Sequence, residues 1–194
     1  MMGTAEADLT VEYVLQNEDH LRVALGIMYD CRREIRRRII TDFLNRLETA
    51  LKKCLPDWRL KNDLKENNFD HWRGLYLDRE KWVDTYKIGF WADKYDARGI
   101  FLAVRKPEKA NRIDGVQLKA LLDARYRLGG TDDQWEWWQW MAEGYDNWDT
   151  AETLIRLSRK DEKDEAVPYF VNHLSRIVEI AEPVIDAALT EEGT

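Results

Sequence analysis

TYKIGFWAD, residues 85–93, decides the fold. Tyr86, Ile88 and Phe90 alternate with Lys87, Gly89 and Trp91. A period of two belongs to a β-strand, whose successive side chains point to opposite faces. Three neighbouring segments have the same character: DWRLKNDL (57–64), HWRGLYLD (71–78) and GIFLAVR (99–105). Each is short, rich in aromatic and aliphatic residues, and bounded by polar turns. The close spacing favours an antiparallel meander of four strands over residues 57–106.

Before the strands the period changes. Leu21, Leu25, Met28, Ile35, Ile39, Phe43, Leu47 and Leu51 recur at three- and four-residue steps. They form one apolar stripe on a helix from about residue 20 to 55, stopped by Pro56. A shorter helix is expected over 8–18, so residues 8–55 are helical. A helix this long needs cover, either from a later helix of the same chain or from a second copy in a symmetric dimer.

Residues 114–189 are also expected to be helical, starting with a helix over 114–128 that Gly129-Gly130 ends. A closing helix over 165–189 carries Val167, Phe170, Val171, Leu174, Ile177 and Ile185, with Pro168 in its first turn and Pro183 expected to kink it. Between them lies WEWWQW, 135–140. Four indoles over six residues of helix would wrap most of its circumference. The prediction is therefore a single α+β domain, 1–194: a long N-terminal helix and C-terminal helices packed on a four-stranded antiparallel sheet.

Bulk properties narrow the function. No stretch approaches the roughly 20 apolar residues that cross a bilayer, and the first residues have neither a basic nor an apolar leader region. The expectation is a cytoplasmic protein with no membrane association. Cys31 and Cys54 share the long helix, about 35 Å apart at 1.5 Å per residue. That is far beyond disulfide reach, which fits reduced thiols. A net charge of −7 argues against a general nucleic-acid coat.

Motifs for chemistry are missing. The sequence contains no phosphate-cradling glycine loop, no nucleophile elbow and no C-x-x-C pair. His20, His71 and His173 lack ligand spacing, so no metal site or cofactor is expected. Asp63-Leu64-Lys65 and Asp161-Glu162-Lys163 fit the loose acid-x-Lys pattern of Mg²⁺-dependent nucleases. Acids and lysines this frequent make such matches by chance, and solvated charge is the favoured reading of both.

Two groups of side chains suit partner binding. Arg33, Arg36 and Arg37 fall near one face of the long helix and could hold phosphate or an acidic partner. The bland reading is a solvated face paired with Glu34. The chain also has nine tryptophans, a surplus. Trp58, Trp72, Trp82 and Trp91 sit on or beside strands and are expected to pack the sheet. Core packing is the default reading of the others too, with Trp135 or Trp148 the indoles that could be left for a partner and base stacking a third option.

The order DW-R-L, W-R-G-L-Y-L-D-R-E-K-W, Y-K-I-G-F-W, G-I-F-L-A-V over residues 57–104 resembles the C-terminal region of bacterial proteins in the PD-(D/E)XK nuclease-like superfamily. The Trp-rich segment and closing helix extend the resemblance over roughly 35–189. The family's nuclease core precedes that region, and its acid, acid and lysine residues find no positions here. The resemblance therefore implies an accessory region standing alone, a binding module of bacterial or phage origin, often near defence or counter-defence functions. A non-enzymatic protein with a protein partner is the leading expectation, with nucleic acid as a second partner class. The alternatives are an unrecognised Mg²⁺-dependent nuclease, and an acidic inhibitor that mimics nucleic acid.

Overall fold

The structure, a computed structural model, describes residues 13, 15, 18–66, 69–82, 86–107, 113, 115–160 and 163–190. The elements run α1 (Glu18–Cys54), β1 (Arg59–Asn62), α2 (Asp63–Glu66), β2 (Gly74–Asp78), a 3-10 turn (Glu80–Trp82), β3 (Lys87–Lys94), β4 (Arg98–Arg105), α3 (Gly115–Asp123), β5 (Trp135–Trp140), α4 (Ala151–Ser158) and α5 (Ala166–Thr190). The α+β class is as expected. The expected helix over 8–18 lies almost wholly outside the described residues. By contact the chain separates into two compact units, 1–38 and 39–194.

Within the first unit, Met28 and Ile35 are 59% and 57% exposed, although they share the predicted stripe. Val23, Ile27 and Tyr29 are exposed beside them. In the second unit the stripe is buried, at Phe43, Leu47 and Leu51. Half of the proposed dimer seam is therefore covered within the chain. Its cover comes from α5, whose Phe170 ring meets Phe43 at 5.3 Å. Phe170, Leu174, Ile177, Val178, Ala181 and Ile185 form one buried stripe along α5. Three- and four-residue spacing puts them on a single face. Pro168 sits in its first turn, where a missing N–H costs nothing, and the helix continues through Pro183.

The sheet has five strands, not four, in the order β1-β2-β3-β4-β5, every pair antiparallel. The fifth is WEWWQW, which sequence reasoning placed in a helical region. Arg105 pairs with Trp135 and Val104 with Trp137, so Glu136 is an extra residue in β5. A bulge of this kind inverts the inside–outside parity of the strand beyond it. Trp137 therefore points into the core with the helices, while Trp135 and Trp138 belong to the opposite face.

Arg46 ties three helices of the second unit together. It bonds Asp42 within α1 and the Leu157 carbonyl near the end of α4, and it pairs with Asp164 just before α5. Asp164 also accepts the Val167 N–H, which caps the first turn of α5. Neither partner of this pair is more than about a quarter exposed, so charge-assisted bonds are stronger here than at a free surface.

The double glycine is not a helix stop, because α3 ends six residues earlier, at Asp123. A Cβ on Gly129 would lie 2.6 Å from Trp137 Cδ1, and one on Gly130 would lie 2.6 Å from Trp138 Cζ2. The two glycines leave room for two indoles on opposite faces of β5. Asp123 fastens the loop by accepting the Gly129 N–H at 2.8 Å and the Trp137 indole N–H at 3.0 Å. It also pairs with Lys119.

Burial alone would raise the Asp123 carboxyl. The bonds from Gly129, Lys119 and Trp137 outweigh it and hold the group below the ordinary carboxylate range. A depressed folded value gives stability that is complete above the unfolded pKa, about 4. That stability is lost as pH falls through the folded value. Asp123→Asn is expected to lose stability at neutral pH and to show a flatter decline in acid. Urea titrations across pH 2–6 read both effects.

Candidate functional site

The outer face of the sheet, away from the helices, carries an aromatic layer of its own. Its buried cluster, Tyr76, Trp91, Phe101, Ala103 and Trp135, contains no helical residue. Glycines allow close approach within the layer. Gly74 pairs with Trp91 across β2 and β3, and Tyr76 pairs with Gly89. A Cβ on Gly74 would lie 2.6 Å from Trp91 Cδ1, and one on Gly89 would lie 2.7 Å from the Tyr76 Cβ. The Trp91 ring lies against Gly74, which restores the packing that a bare glycine forfeits, and Gly89 lets the β2 backbone at Tyr76 come close. The two rings then stack, 5.9 Å apart and 6° from parallel.

Phe101 is the hub of the layer. Trp135, Trp140, Trp138 and Trp72 surround it with centroids at 5.2, 5.6, 6.2 and 6.4 Å. Their planes stand at 88°, 80°, 74° and 74° to the Phe101 ring. The resulting cleft has a volume of about 100 Å³, lined by these rings with Asp93 and Asp132. Trp72 is 51% exposed and Trp140 48%, and Trp138 is half-buried.

Backbone geometry fixes Trp72 in this position. Its φ is 57°, left-handed and costly for a bulky residue by roughly 1–2 kcal/mol. The Trp72 N–H donates to Ala92 O at 2.6 Å, and the Ala92 N–H donates to Arg73 O at 2.9 Å. These bonds pin the turn to β3 and hold an exposed indole in a strained conformation. Such strain persists only where the surroundings over-determine it, and it gathers at binding and catalytic sites.

The two acids are placed by similar means. Asp132 Oδ1 accepts the backbone N–H groups of Gln134 and Trp135, at 2.8 and 3.1 Å. Gly99, with φ 63°, leaves a gap between Asp93 and Trp140; a Cβ there would sit 3.2 Å from Asp93 Cβ and 3.3 Å from Trp140 Cζ3. Neither acid forms an ion pair with a described residue.

The residues singled out in the sequence fall in different places. Trp148 is a correction: it is fully buried, so it offers a partner nothing. Trp135 is only 4% exposed but forms a wall of the cleft. Trp72, expected to pack the sheet, is instead an exposed wall. Its flanks, His71 and Arg73, and the glycine that follows were the only hints that the strand proper starts later.

Arg33 is exposed and Arg36 half-buried on α1. Arg37 makes two bonds to Glu34, at 2.7 and 2.8 Å, and Arg38 a third at 2.6 Å. Hydrogen bonds from Arg37 and then Arg38 bring the Glu34 carboxyl down to about 2. Arg37 is therefore engaged within its own helix, as the bland reading had it. Exposed pairs of this type add little to stability.

Asp63 accepts the Tyr76 hydroxyl at 3.1 Å, and Lys65 donates to Asn45 at 2.5 Å. Asp161 lies outside the described residues. Among the described residues no group of three or more His, Cys, Asp or Glu is arranged to hold a metal. No described helix is long and apolar enough to cross a membrane. Cys31 and Cys54 are free and exposed. Comparison with protein-family models, with curated proteins and with solved structures finds no match.

Proposed function

We propose that this chain is a non-enzymatic binding protein whose partner, a protein, docks on the outer face of the sheet at the Trp72–Trp140 cleft. One observation carries the proposal: two indoles about half exposed flank a concave site, and one is held there at the expense of backbone strain. Indoles that stay in water after folding are the residues that dominate binding energy when an interface covers them. The reading agrees with the accessory-region resemblance of residues 57–104.

Nucleic acid fits the cleft less well. Base stacking would use the same rings, but Asp93 and Asp132 would repel the phosphates. The arginine face of α1 remains the alternative surface for an acidic partner.

Capture from a bacterial lysate, with nuclease treatment, tests the proposal. Wild-type protein is expected to retain a stoichiometric protein partner. The Trp72→Ala/Trp140→Ala variant is expected to lose it while melting within a few degrees of wild type, because both side chains are half in water. Retention by that variant sinks the proposal, and so does capture of nucleic acid alone.

A further inference from the structure

Resting on that reading of the cleft, we infer that it recognises a compact organic cation, an alkylated ammonium head of the trimethylammonium kind. Its source is either a methylated lysine of the partner or a free choline-like molecule.

Shape is the first argument. The four indoles stand steeply to Phe101, and Trp138 and Trp140 lie 72° from parallel to each other. A flat ligand such as a nucleobase or a guanidinium needs a parallel slot or platform. A box of standing rings instead offers π-faces to a rounded group from several directions. Cations are attracted to those faces by the ring quadrupole, most strongly for tryptophan. A volume of about 100 Å³ is below the roughly 150 Å³ cavity that takes a benzene, so the site holds a head group and not a whole cofactor.

Charge is the second argument. Among the described residues, the lining has two carboxylates, Asp93 and Asp132, and no Lys, Arg or His. An anion is disfavoured there and a cation is attracted. The weakly hydrated quaternary ammonium loses little by leaving water, so aromatic contact decides its binding.

The rest of the layer points the same way. Elsewhere in the layer the chain supplies its own cations: Lys87 lies 4.9 Å from the Tyr76 ring centre, and Arg105 lies 5.9 Å from that of Trp135, the cleft wall that is buried. Among the described residues, no cation sits over Trp72, Trp138 or Trp140. Those are the three cleft indoles that reach solvent.

The test is titration of the full chain by calorimetry and tryptophan fluorescence. The probes are choline, its uncharged isostere 3,3-dimethyl-1-butanol, and a neutral peptide carrying trimethyllysine or unmodified lysine. The expected result is saturable binding of a trimethylammonium probe, with the isostere weaker by about tenfold or more. Trp140→Ala and Asp93→Asn are each expected to weaken it by a similar factor. Circular dichroism melts should stay unchanged, and Asp93→Asn keeps the test valid if Trp140→Ala perturbs the fold. Tighter binding of the trimethyllysine peptide than of choline assigns the head to a protein side chain, and the reverse order assigns it to a free molecule. Equal binding of the isostere, or no binding of either cation at millimolar concentration, overturns the inference. If the cations fail while the Trp72/Trp140 variant still loses its captured partner, only the ligand class is wrong. The docking face would then stand.

Discussion

Trp148→Ala is expected to destabilise the protein by about 3–5 kcal/mol, the usual cost of emptying a large aromatic site in a core. The indole is fully buried between Phe43, Phe90 and Phe170, with ring centres at 5.4, 5.7 and 5.8 Å. Those three rings come from α1, β3 and α5, so one side chain joins the sheet to both long helices. Its N–H donates to the Tyr145 carbonyl at 2.9 Å, and the truncation leaves that acceptor without its donor. The ring neighbours sit on separate elements and cannot all collapse into the gap. A domain of this size has roughly 5–15 kcal/mol in total, so the variant should be marginal at best. Urea denaturation followed by far-UV circular dichroism reads the loss. A change below about 1 kcal/mol would mean that Trp148 is not in the core.

Gly89→Ala is expected to cost about 1–3 kcal/mol, an unusual penalty for a single methyl group in a strand. Alanine would normally gain about 0.5–1 kcal/mol over glycine by restricting the unfolded chain. Here the new Cβ would lie 2.7 Å from the Tyr76 Cα and still closer to the Leu75 carbonyl oxygen. Both are backbone atoms of the paired strand, and no rotamer change removes the clash. The strand must shift, and the Tyr76–Trp91 stack shifts with it. Near-ultraviolet circular dichroism should therefore change together with stability. A neutral or stabilising result would show that the β2 backbone does not approach Gly89 this closely.

Four strands were legible because each keeps a simple pattern between polar turns. The fifth was not, and its bulge explains why. Tryptophans at the first, third, fourth and sixth positions of WEWWQW fit neither a period of two nor one of 3.6. The pattern makes sense only once Glu136 is the extra residue, and that depends on pairing with β4.

The Gly-x-Tyr and Gly-x-Trp spacings in β2 and β3 were visible. Their meaning was not, since a glycine becomes a seat for a ring only after the register is known. Trp72 and Trp148 were exchanged for a related reason. Both sit in polar surroundings in the sequence, and exposure there depends on which face of which element the backbone turns toward. No composition rule anticipates a left-handed tryptophan at position 72. Trp148 packs among Phe43, Phe90 and Phe170, and Tyr145, three residues away, satisfies its indole N–H so that it can be buried. The Glu34–Arg37 pair, by contrast, was readable from its i, i+3 spacing alone.

The most direct test of the cleft as the docking face is the set of nine indole N–H resonances. Labelled protein would be compared in buffer and in unlabelled bacterial lysate treated with nuclease. The prediction is that Trp72, Trp138 and Trp140 shift or broaden, while Trp82, Trp137 and Trp148 keep their positions. Changes confined to the amides of residues 33–37, with the cleft indoles unmoved, would contradict it and transfer the binding function to the arginine face of α1.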